Sequence, residues 1–434
     1  MINPRWTCGR LRSLRRPSLM IPDFGHQRCV NECLANRPLL ERRVMAPTAP
    51  PPQVSEDARW PSTPSALSAD ALDQLLLWSY DINASDVSIQ TGEPVWIEVD
   101  GVLRQATDRA LRDAEVQQMA IRVYRSEAGL AQLAKGQDWD ESYQLRRSRL
   151  DFVRFRVNAT GILVDGRDGI DLTFRVIKQT PPPLSDQLQG DQAELLKHLF
   201  PKQGLVLTTG ETGSGKSTLQ AGVVRHLLEA PEWSGRIVEY ASPIEYTFGT
   251  VRALGAKIAQ VQIPRGLPSW AAATKNALRR KPAAAVFQEA RDAESIAGMV
   301  ELALTGTLVY ATAHTTGVSA TLQRMISGFE PSVRSERAAA LVSVLRLVVT
   351  QRLERALVRN AFGGRIALRE WLVFDDELRS KLLQSDLRSW TGHVEDAVRS
   401  RGRPMAVAAR QAYNNGLIGY EQLLAIEYAH GRAL

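Results

Sequence analysis

The spacing of apolar residues predicts a helix near residue 70. The helix begins at Ser68, a residue type that caps helix N-termini, and continues through Leu72, Leu75 and Leu76, which recur on one face. Order in the chain is expected to begin near this cap. The preceding segment, residues 46–66, is rich in Pro, Ser and Thr, and we expect it to be disordered or extended.

The residues that follow, up to 180, predict a small α+β unit. Short strands are predicted at 86–90 and 95–100, a helix around 113–134, and longer strands at 151–158 and 169–177. Apolar and polar residues alternate in the two longer strands. One face of each is therefore buried, and the other carries the polar side chains.

Three arginines lie on that polar face: Arg154, Arg156 and Arg175. Their spacing alone is typical of solvated strand positions. Three consecutive prolines at 181–183 then predict a stiff hinge.

From about residue 186, strands alternate with helices, which predicts a parallel α/β sheet. Buried strands are predicted at 205–208, 236–239, 284–287 and 308–311.

The apolar run at 338–353 is interrupted by Arg346, so it predicts an amphipathic helix rather than a membrane span. After residue 374 the chain is polar with helical spacing, and we expect an appended helical segment at 375–434.

The composition is typical of a soluble globular chain with two or three compact units, because 44% of its 434 residues are hydrophobic and 23% are charged. Most of the net charge of +7 lies in the arginine-rich residues 1–44. The rest of the chain is almost neutral, so no direct nucleic-acid partner is expected.

All three cysteines, Cys8, Cys29 and Cys33, lie in the same basic tail. A zinc site would need a fourth ligand, and His26 is the nearby candidate, so the pattern disfavours zinc. No apolar core of a secretory signal follows the arginines. An alternative that the sequence leaves open is that translation starts at Met45.

Residues 210–217 (GETGSGKS) form a P-loop, because the apolar segment GLVLTT precedes them and a helix follows. Glycines allow successive N–H groups to face a phosphate, Lys216 is expected to reach the β- and γ-phosphates, and Ser217 to ligate Mg²⁺. ATP and Mg²⁺ are thus the expected ligands. The predicted binding residues are Gly210, Glu211, Thr212, Gly213, Ser214, Gly215, Lys216, Ser217 and Thr218.

Two further residues follow buried strands, at the carboxyl edge where ligands of α/β sheets bind. Glu289 ends the segment AAAVFQE and is the candidate catalytic base, since P-loop enzymes polarise water with such a carboxylate. His314, followed by TTG, is the candidate γ-phosphate sensor or water-orienting residue. Taken alone, a carboxylate at a strand end is more often a surface residue, and a lone histidine is more often structural. The P-loop upstream favours the catalytic interpretation of Glu289, and the two hydroxyl residues and the glycine after His314 favour that of His314.

These elements together resemble the secretion ATPase superfamily of type II and type IV secretion and pilus motors. The P-loop, the acidic box 242–245, the segment 283–292 and the histidine box at His314 occur in the family's order, and the match runs from about Ala69 to the C-terminus. Within the superfamily the chain most resembles the DotB/TraJ branch of type IVB secretion and conjugative transfer. That likeness rests on ASD at 84–86, QTGEP at 90–94, RVNAT at 156–160, SPIE at 242–245, NALRRKP at 276–282 and ALRE at 367–370.

The resemblance implies a homohexameric ring working with membrane components of a channel, in the cytoplasm and peripheral to the inner membrane. It implies a PAS-like N-terminal domain at 68–180, a RecA-like ATPase domain at 181–374 and the helical segment 375–434, after a basic and then Pro-rich tail at 1–67. ATP would lie between the first two domains.

The resemblance also assigns a catalytic role to Arg156 and Arg175. They match N-terminal-domain arginines that reach the nucleotide when the domain closes, where a cation neutralises charge on the γ-phosphate. Arg279 and Arg291 are weaker candidates for interdomain or intersubunit contacts.

Three positions depart from the family's pattern: Ala241 replaces a glutamate of the acidic box, Gln288 replaces a glycine, and Thr307 replaces a histidine. Glu239 lies two residues before Ala241 and is displaced by about 7 Å along an extended strand. Gln288 is expected to crowd or hydrogen-bond Glu289. The changes leave the phosphate-binding residues intact but reduce the number of groups that could activate water. We therefore expect tight Mg-ATP binding and slow hydrolysis.

Two other functions are compatible with the same residues. One is a type IV pilus retraction motor, which uses the same chemistry on a different cargo. The other is a nucleotide-gated assembly scaffold with vestigial hydrolysis, which Ala241 and Gln288 favour.

Overall fold

The computed structural model describes residues 59–61, 64–99, 101–148, 152–177, 180–188, 190–289, 292–357 and 364–430. The predictions for the basic tail, its cysteines and His26 lie outside these residues, as does Arg291.

The first sheet has six strands in the order β3-β2-β1-β6-β5-β4, all antiparallel. The strands are β1 (Ala84–Gln90), β2 (Trp96–Val99), β3 (Val102–Gln105), β4 (Trp139–Arg146), β5 (Phe152–Val164) and β6 (Arg167–Ile177). Its helices are α1 (Ala69–Asp81), α2 (Asp113–Tyr124) and α3 (Ala128–Leu133).

The core of this unit forms where apolar side chains of the sheet pack with those of α1 and α2. The predicted alternation in β5 and β6 is confirmed, because Val153, Phe155 and Phe174 are completely buried while Arg156 and Arg175 lie on the opposite face.

Helix α1 begins as predicted, since the Ser68 side chain accepts a hydrogen bond from the amide of Ala71 at 3.2 Å. The fold begins earlier than expected, however. Trp60, inside the Pro-rich segment, is buried in this core, and its amide donates to the carbonyl of Ala106 at 2.8 Å.

The helix predicted around 113–134 is two helices. Arg125 adopts a left-handed conformation (φ 64°), which ends α2 before α3 begins. The apolar spacing continued across this break, so the pattern did not reveal it.

The second sheet has seven strands in the order β13-β12-β7-β11-β10-β8-β9, parallel except for the antiparallel edge strand β13. The strands are β7 (Gly204–Thr209), β8 (Gly235–Ala241), β9 (Ala256–Gln262), β10 (Ala284–Phe287), β11 (Leu308–Ala313), β12 (Leu345–Arg355) and β13 (Arg365–Val373). The parallel sheet and its four predicted strands are confirmed. Apolar side chains pack on both faces of this sheet.

Helices precede the second sheet or lie between its strands. They are α4 (Leu184–Gln187), a 3₁₀ helix (Gly190–His198), α5 (Lys216–Glu229), α6 (Trp270–Arg280), α7 (Ala293–Leu304), α8 (Val318–Ser327) and α9 (Arg334–Val344).

The helix predicted at 338–353 is wrong over its second half. Helix α9 ends at Val344, and the chain continues as β12, directly beside β7. A strand buried on both faces has a continuous apolar run such as 347–349, which periodicity alone does not distinguish from a buried helix.

The chain after β13 is helical, as predicted. It forms α10 (Asp376–Gln384), a 3₁₀ turn (Leu387–Ser389), α11 (Trp390–Arg401), α12 (Met405–Asn414) and α13 (Tyr420–His430). Within the described residues, no helix is both long and apolar enough to cross a membrane.

Candidate nucleotide-binding site

The P-loop connects the end of β7 to the start of α5. Gly210, Gly213 and Gly215 have φ angles of 144°, 78° and 82°, in the region that favours glycine. A Cβ at Gly210 would also clash with the backbone carbonyl of Gln351 on β12. The glycines therefore allow the loop to turn tightly against the neighbouring strand.

The N-terminus of α5 is suited to an anion. No side chain among the described residues caps it, and its first turn carries no acidic residue. The positive end of the helix dipole and the first-turn N–H groups therefore attract a phosphate. The Ser214 hydroxyl is buried in the loop with no hydrogen-bond partner in the described part of the chain, which fits a polar ligand here.

Lys216 points back over the P-loop. Its Nζ donates to the carbonyls of Gly210 at 2.8 Å and Glu211 at 2.7 Å, and it lies 3.5 Å from Nδ1 of His314. The ammonium group is thus held where a phosphate on the loop would meet it.

Burial lowers the pKa of Lys216, while the charges of Glu245, Glu289 and Glu211 oppose that shift. Glu245 was missed as a site residue, although it belongs to the acidic box that the sequence analysis identified. Because its charge acts on the Lys216 ammonium, Glu245 becomes a candidate site carboxylate.

Glu289 and His314 meet at the carboxyl edge of the sheet. Glu289 follows β10, His314 follows the adjacent β11, and His314 Nε2 lies 3.6 Å from Glu289 Oε1. The structure therefore brings Lys216, Glu289 and His314, all singled out from the sequence, into one cluster.

Gln288 does not contact Glu289 in the way that was expected. Its Nε2 donates instead to Oε1 of Glu239 at 2.5 Å, and Gln260 Nε2 donates to the other oxygen of Glu239 at 2.5 Å. Burial raises the pKa of Glu239 to about 7; the two amides lower it, and the charge of Glu245 raises it further. Glu239 is only 2% exposed, so it does not replace the glutamate absent at Ala241.

Thr307 lies at the other end of the sheet. It precedes β11, and its carbonyl accepts from the amide of Gly204 at the start of β7. The six residues of β11 separate it from His314 by about 20 Å. We expected the replacement of a histidine by Thr307 to remove a water-activating group from this site. Within the single chain this expectation is wrong, because Thr307 lies far from the site.

A hydrogen-bonded set of hydroxyls connects the histidine box to the P-loop strand. Thr315 and Thr321 are paired at 2.6 Å, Thr321 donates to Thr209 at 3.3 Å, and Thr209 pairs with Thr350 at 2.8 Å. On the helix side, the Thr218 hydroxyl pairs with the hydroxyl of Tyr246 at 2.8 Å. Sequence reasoning missed these contacts because they join distant segments.

Arg156 and Arg175 lie side by side in β5 and β6. Their guanidinium groups contact carboxylates of the first sheet, at 3.1 Å from Arg156 to Asp140 and 2.8 Å from Arg175 to Asp86. The structure does not bring them into the P-loop cluster. Arg279 is exposed in the last turn of α6.

In the described residues no group of three or more His, Cys, Asp or Glu side chains could hold a metal by itself.

The parallel sheet, the glycine loop and the lysine define a P-loop nucleotide-binding protein with a RecA-like core, an N-terminal α+β domain and C-terminal helices. The chain belongs to the type II/IV secretion system protein family, whose model matches residues 65–424. The resemblance identified from the sequence is thereby confirmed.

Individual relatives span most of the chain. The ATPase DotB of Legionella pneumophila is 37% identical, with a TM-score of 0.76, over 86% of this chain and all of that one. The structure of the pilus retraction motor PilT with bound ADP is 25% identical, with a TM-score of 0.68, over 82% of this chain and 96% of that one. The type IV pilus retraction ATPase PilT of Pseudomonas aeruginosa is 27% identical over 72% of this chain and 85% of its own.

Proposed function

We propose that this chain is an ATPase that couples ATP binding and hydrolysis to substrate transfer or assembly at a type IVB secretion or plasmid conjugation system. The observation that carries the proposal is the cluster of Lys216, Glu289 and His314 around the P-loop. The likeness to DotB over that protein's whole length supports the type IVB assignment.

The P-loop residues 210–218 would bind the phosphates of ATP, with Lys216 neutralising their charge. Ser217 would hold Mg²⁺, which supplies further neutralisation of the β- and γ-phosphates when bound. Glu289 is the proposed base that polarises the attacking water, and His314 orients it beside the γ-phosphate. Glu245 adds a second carboxylate whose charge acts on Lys216.

We propose that Arg156 and Arg175 complete the site when the N-terminal domain, about residues 60–180, closes on the ATPase domain 181–374. Closure must exchange their contacts with Asp140 and Asp86 for contacts with phosphate. The working form would be a cytoplasmic homohexamer, with the helices after residue 374 in each subunit, held at the inner membrane by channel components.

A pilus retraction motor is the second candidate, and the likeness to PilT favours it. The two functions share their chemistry and differ in cargo. Deletion in the source bacterium separates them: a retraction motor is required for pilus-driven motility, whereas a secretion ATPase is required for substrate transfer with motility unchanged.

A nucleotide-gated scaffold is the third candidate. It is favoured by Ala241 and by the buried hydrogen bond between Gln288 and Glu239. The Glu289→Gln variant tests it, with the exposed Glu294→Gln as matched control. If the chain is a motor, Glu289→Gln loses ATP hydrolysis and transport but still binds ATP. The control Glu294→Gln retains ATP binding, hydrolysis and transport. Unchanged transport in Glu289→Gln would contradict the motor and favour the scaffold.

A further inference from the structure

Arg369 on β13 is buried without a carboxylate in contact among the described residues. It is 2% exposed, and burial lowers its pKa to about 9. Its Nε donates to Gln351 Oε1 at 2.7 Å, and its Nη1 donates to the carbonyl of Gln187 at 2.9 Å and to Gln192 Oε1. Gln192 in turn donates to the carbonyl of Ala367 at 2.8 Å. Burying a cation among neutral acceptors is costly, so this arrangement needs a physical reason.

Gln351, which contacts Arg369, also contacts the P-loop. Gln351 Nε2 donates to the carbonyl of Ser214 at 2.5 Å, and the Gln351 amide also limits the space at Gly215. Arg369 holds the oxygen of this amide, which fixes its nitrogen toward the loop. The guanidinium therefore orients the side chain that restrains Ser214.

The other end of the network is the linker, which we define as residues 181–192 and which leads from the first sheet to the second. Gln187 Nε2 donates to the carbonyl of Thr218 at 3.1 Å, and Arg225 Nη1 donates to the carbonyl of Pro181 at 2.7 Å. The linker thus contacts the helix that begins at the P-loop, and through Arg369 it contacts the loop's other side.

We propose that Arg369 and Gln351 are positioning residues that hold the P-loop in its nucleotide-binding conformation and connect it to the linker. Movement of the linker then changes nucleotide affinity through the orientation of the Gln351 amide. The inference rests on the proposed function, because it concerns the regulation of the same site.

The first test is the Gln351→Glu variant of the full chain. A carboxylate keeps the contact with Arg369 but has no N–H to donate, and its oxygen faces the Ser214 carbonyl. Titration with fluorescently labelled Mg-ADP is expected to show a Kd raised about tenfold or more, with little change in Tm. Gln351→Met gives a second measure if the charged variant does not fold.

The control is Arg403→Met. Arg403 is 8% exposed with a pKa lowered to about 10 by burial, and it stacks on Trp371 at 4.8 Å. Its loss is expected to lower Tm without changing the Kd. Arg369→Met is expected to change both, and Arg369→Lys to recover part of the affinity.

The linker connection is tested by Gln192→Leu, alone and combined with Arg369→Met. Gln192→Leu is expected to raise the Kd severalfold on its own and to have no further effect once Arg369 is absent, since coupled residues are non-additive. Additive effects would overturn the connection. If the parent protein does not bind Mg-ADP, the proposed function is contradicted. If the parent binds Mg-ADP and Gln351→Glu binds it with the same Kd, only this inference is contradicted.

Discussion

Gln288 donates its side-chain amide to the carboxylate of Glu239 at 2.5 Å, across the neighbouring strands β10 and β8. Their contact is internal to the sheet, so neither side chain adds a group to the P-loop cluster. The carboxylates whose charges act on Lys216 in that cluster are Glu245, Glu289 and Glu211.

The buried Glu239 is expected to make stability depend on pH. Its pKa is raised from 4.5 to about 7, so the folded chain binds more protons than the unfolded chain between these values. Its contribution is complete below the unfolded pKa and is lost as the pH rises through about 7. Relative to Glu239→Gln, the parent should lose about 3 kcal/mol of unfolding free energy between about pH 4.5 and pH 8.

Urea unfolding of both proteins across that range measures the effect. Glu98→Gln, at a half-buried position of the first sheet, serves as a control for the loss of one carboxylate. Parallel pH curves for the parent and Glu239→Gln would show that folding does not change the pKa of Glu239, contrary to this prediction.

Replacing Lys216 with alanine is expected to weaken Mg-ATP binding by at least about 100-fold, because a charge-assisted contact with phosphate is lost from a buried site. Isothermal titration of the purified chain measures this loss. Lys275→Ala, at an exposed position of α6, is the matched control and should bind as the parent does. Equal affinities for parent and Lys216→Ala would rule out the P-loop as the nucleotide site.

The central part of the site could be predicted because local sequence specifies it. The glycine spacing from Gly210 to Gly215 imposes the loop, and the short apolar strands before Glu289 and His314 place both residues at one edge of a parallel sheet. These constraints act over a few residues, so the sequence pattern contains them.

The remaining parts depend on contacts between distant segments. The strand at 345–355 has the apolar run of a buried helix, and only its pairing with β7 makes it a strand. The bond from Gln351 to Ser214 follows from that pairing. Likewise, Gln288 was expected to contact its neighbour Glu289, but the partner is on another strand.

Removing the charge of Arg156 is expected to slow hydrolysis without weakening ATP binding to the isolated chain. Its present contact is Asp140, so the proposed role requires the N-terminal domain to close on the nucleotide. Arg156→Gln should lower kcat by about tenfold to 1,000-fold, as expected for a cation that acts on the transferred phosphoryl group. The exposed Arg167→Gln is the control. An unchanged kcat would indicate that Arg156 is a solvated strand residue.

Glu370 is expected to stabilise the junction between the second sheet and the C-terminal helices. One of its oxygens accepts from the amide of Val318 at 2.8 Å, at the start of α8, and the other accepts from the amide of Met405 at 3.2 Å, at the start of α12. Glutamine offers one accepting oxygen, so Glu370→Gln leaves one of these N–H groups unpaired and places an NH₂ against it. The cost should be about 1–3 kcal/mol, seen as a lower Tm.

The control is Glu301→Gln, at an exposed position, and it should have the same Tm as the parent. Because Val318 follows the histidine box by a few residues, Glu370→Gln should also lower kcat, and a reduced Tm with unchanged kcat would limit Glu370 to a purely structural role.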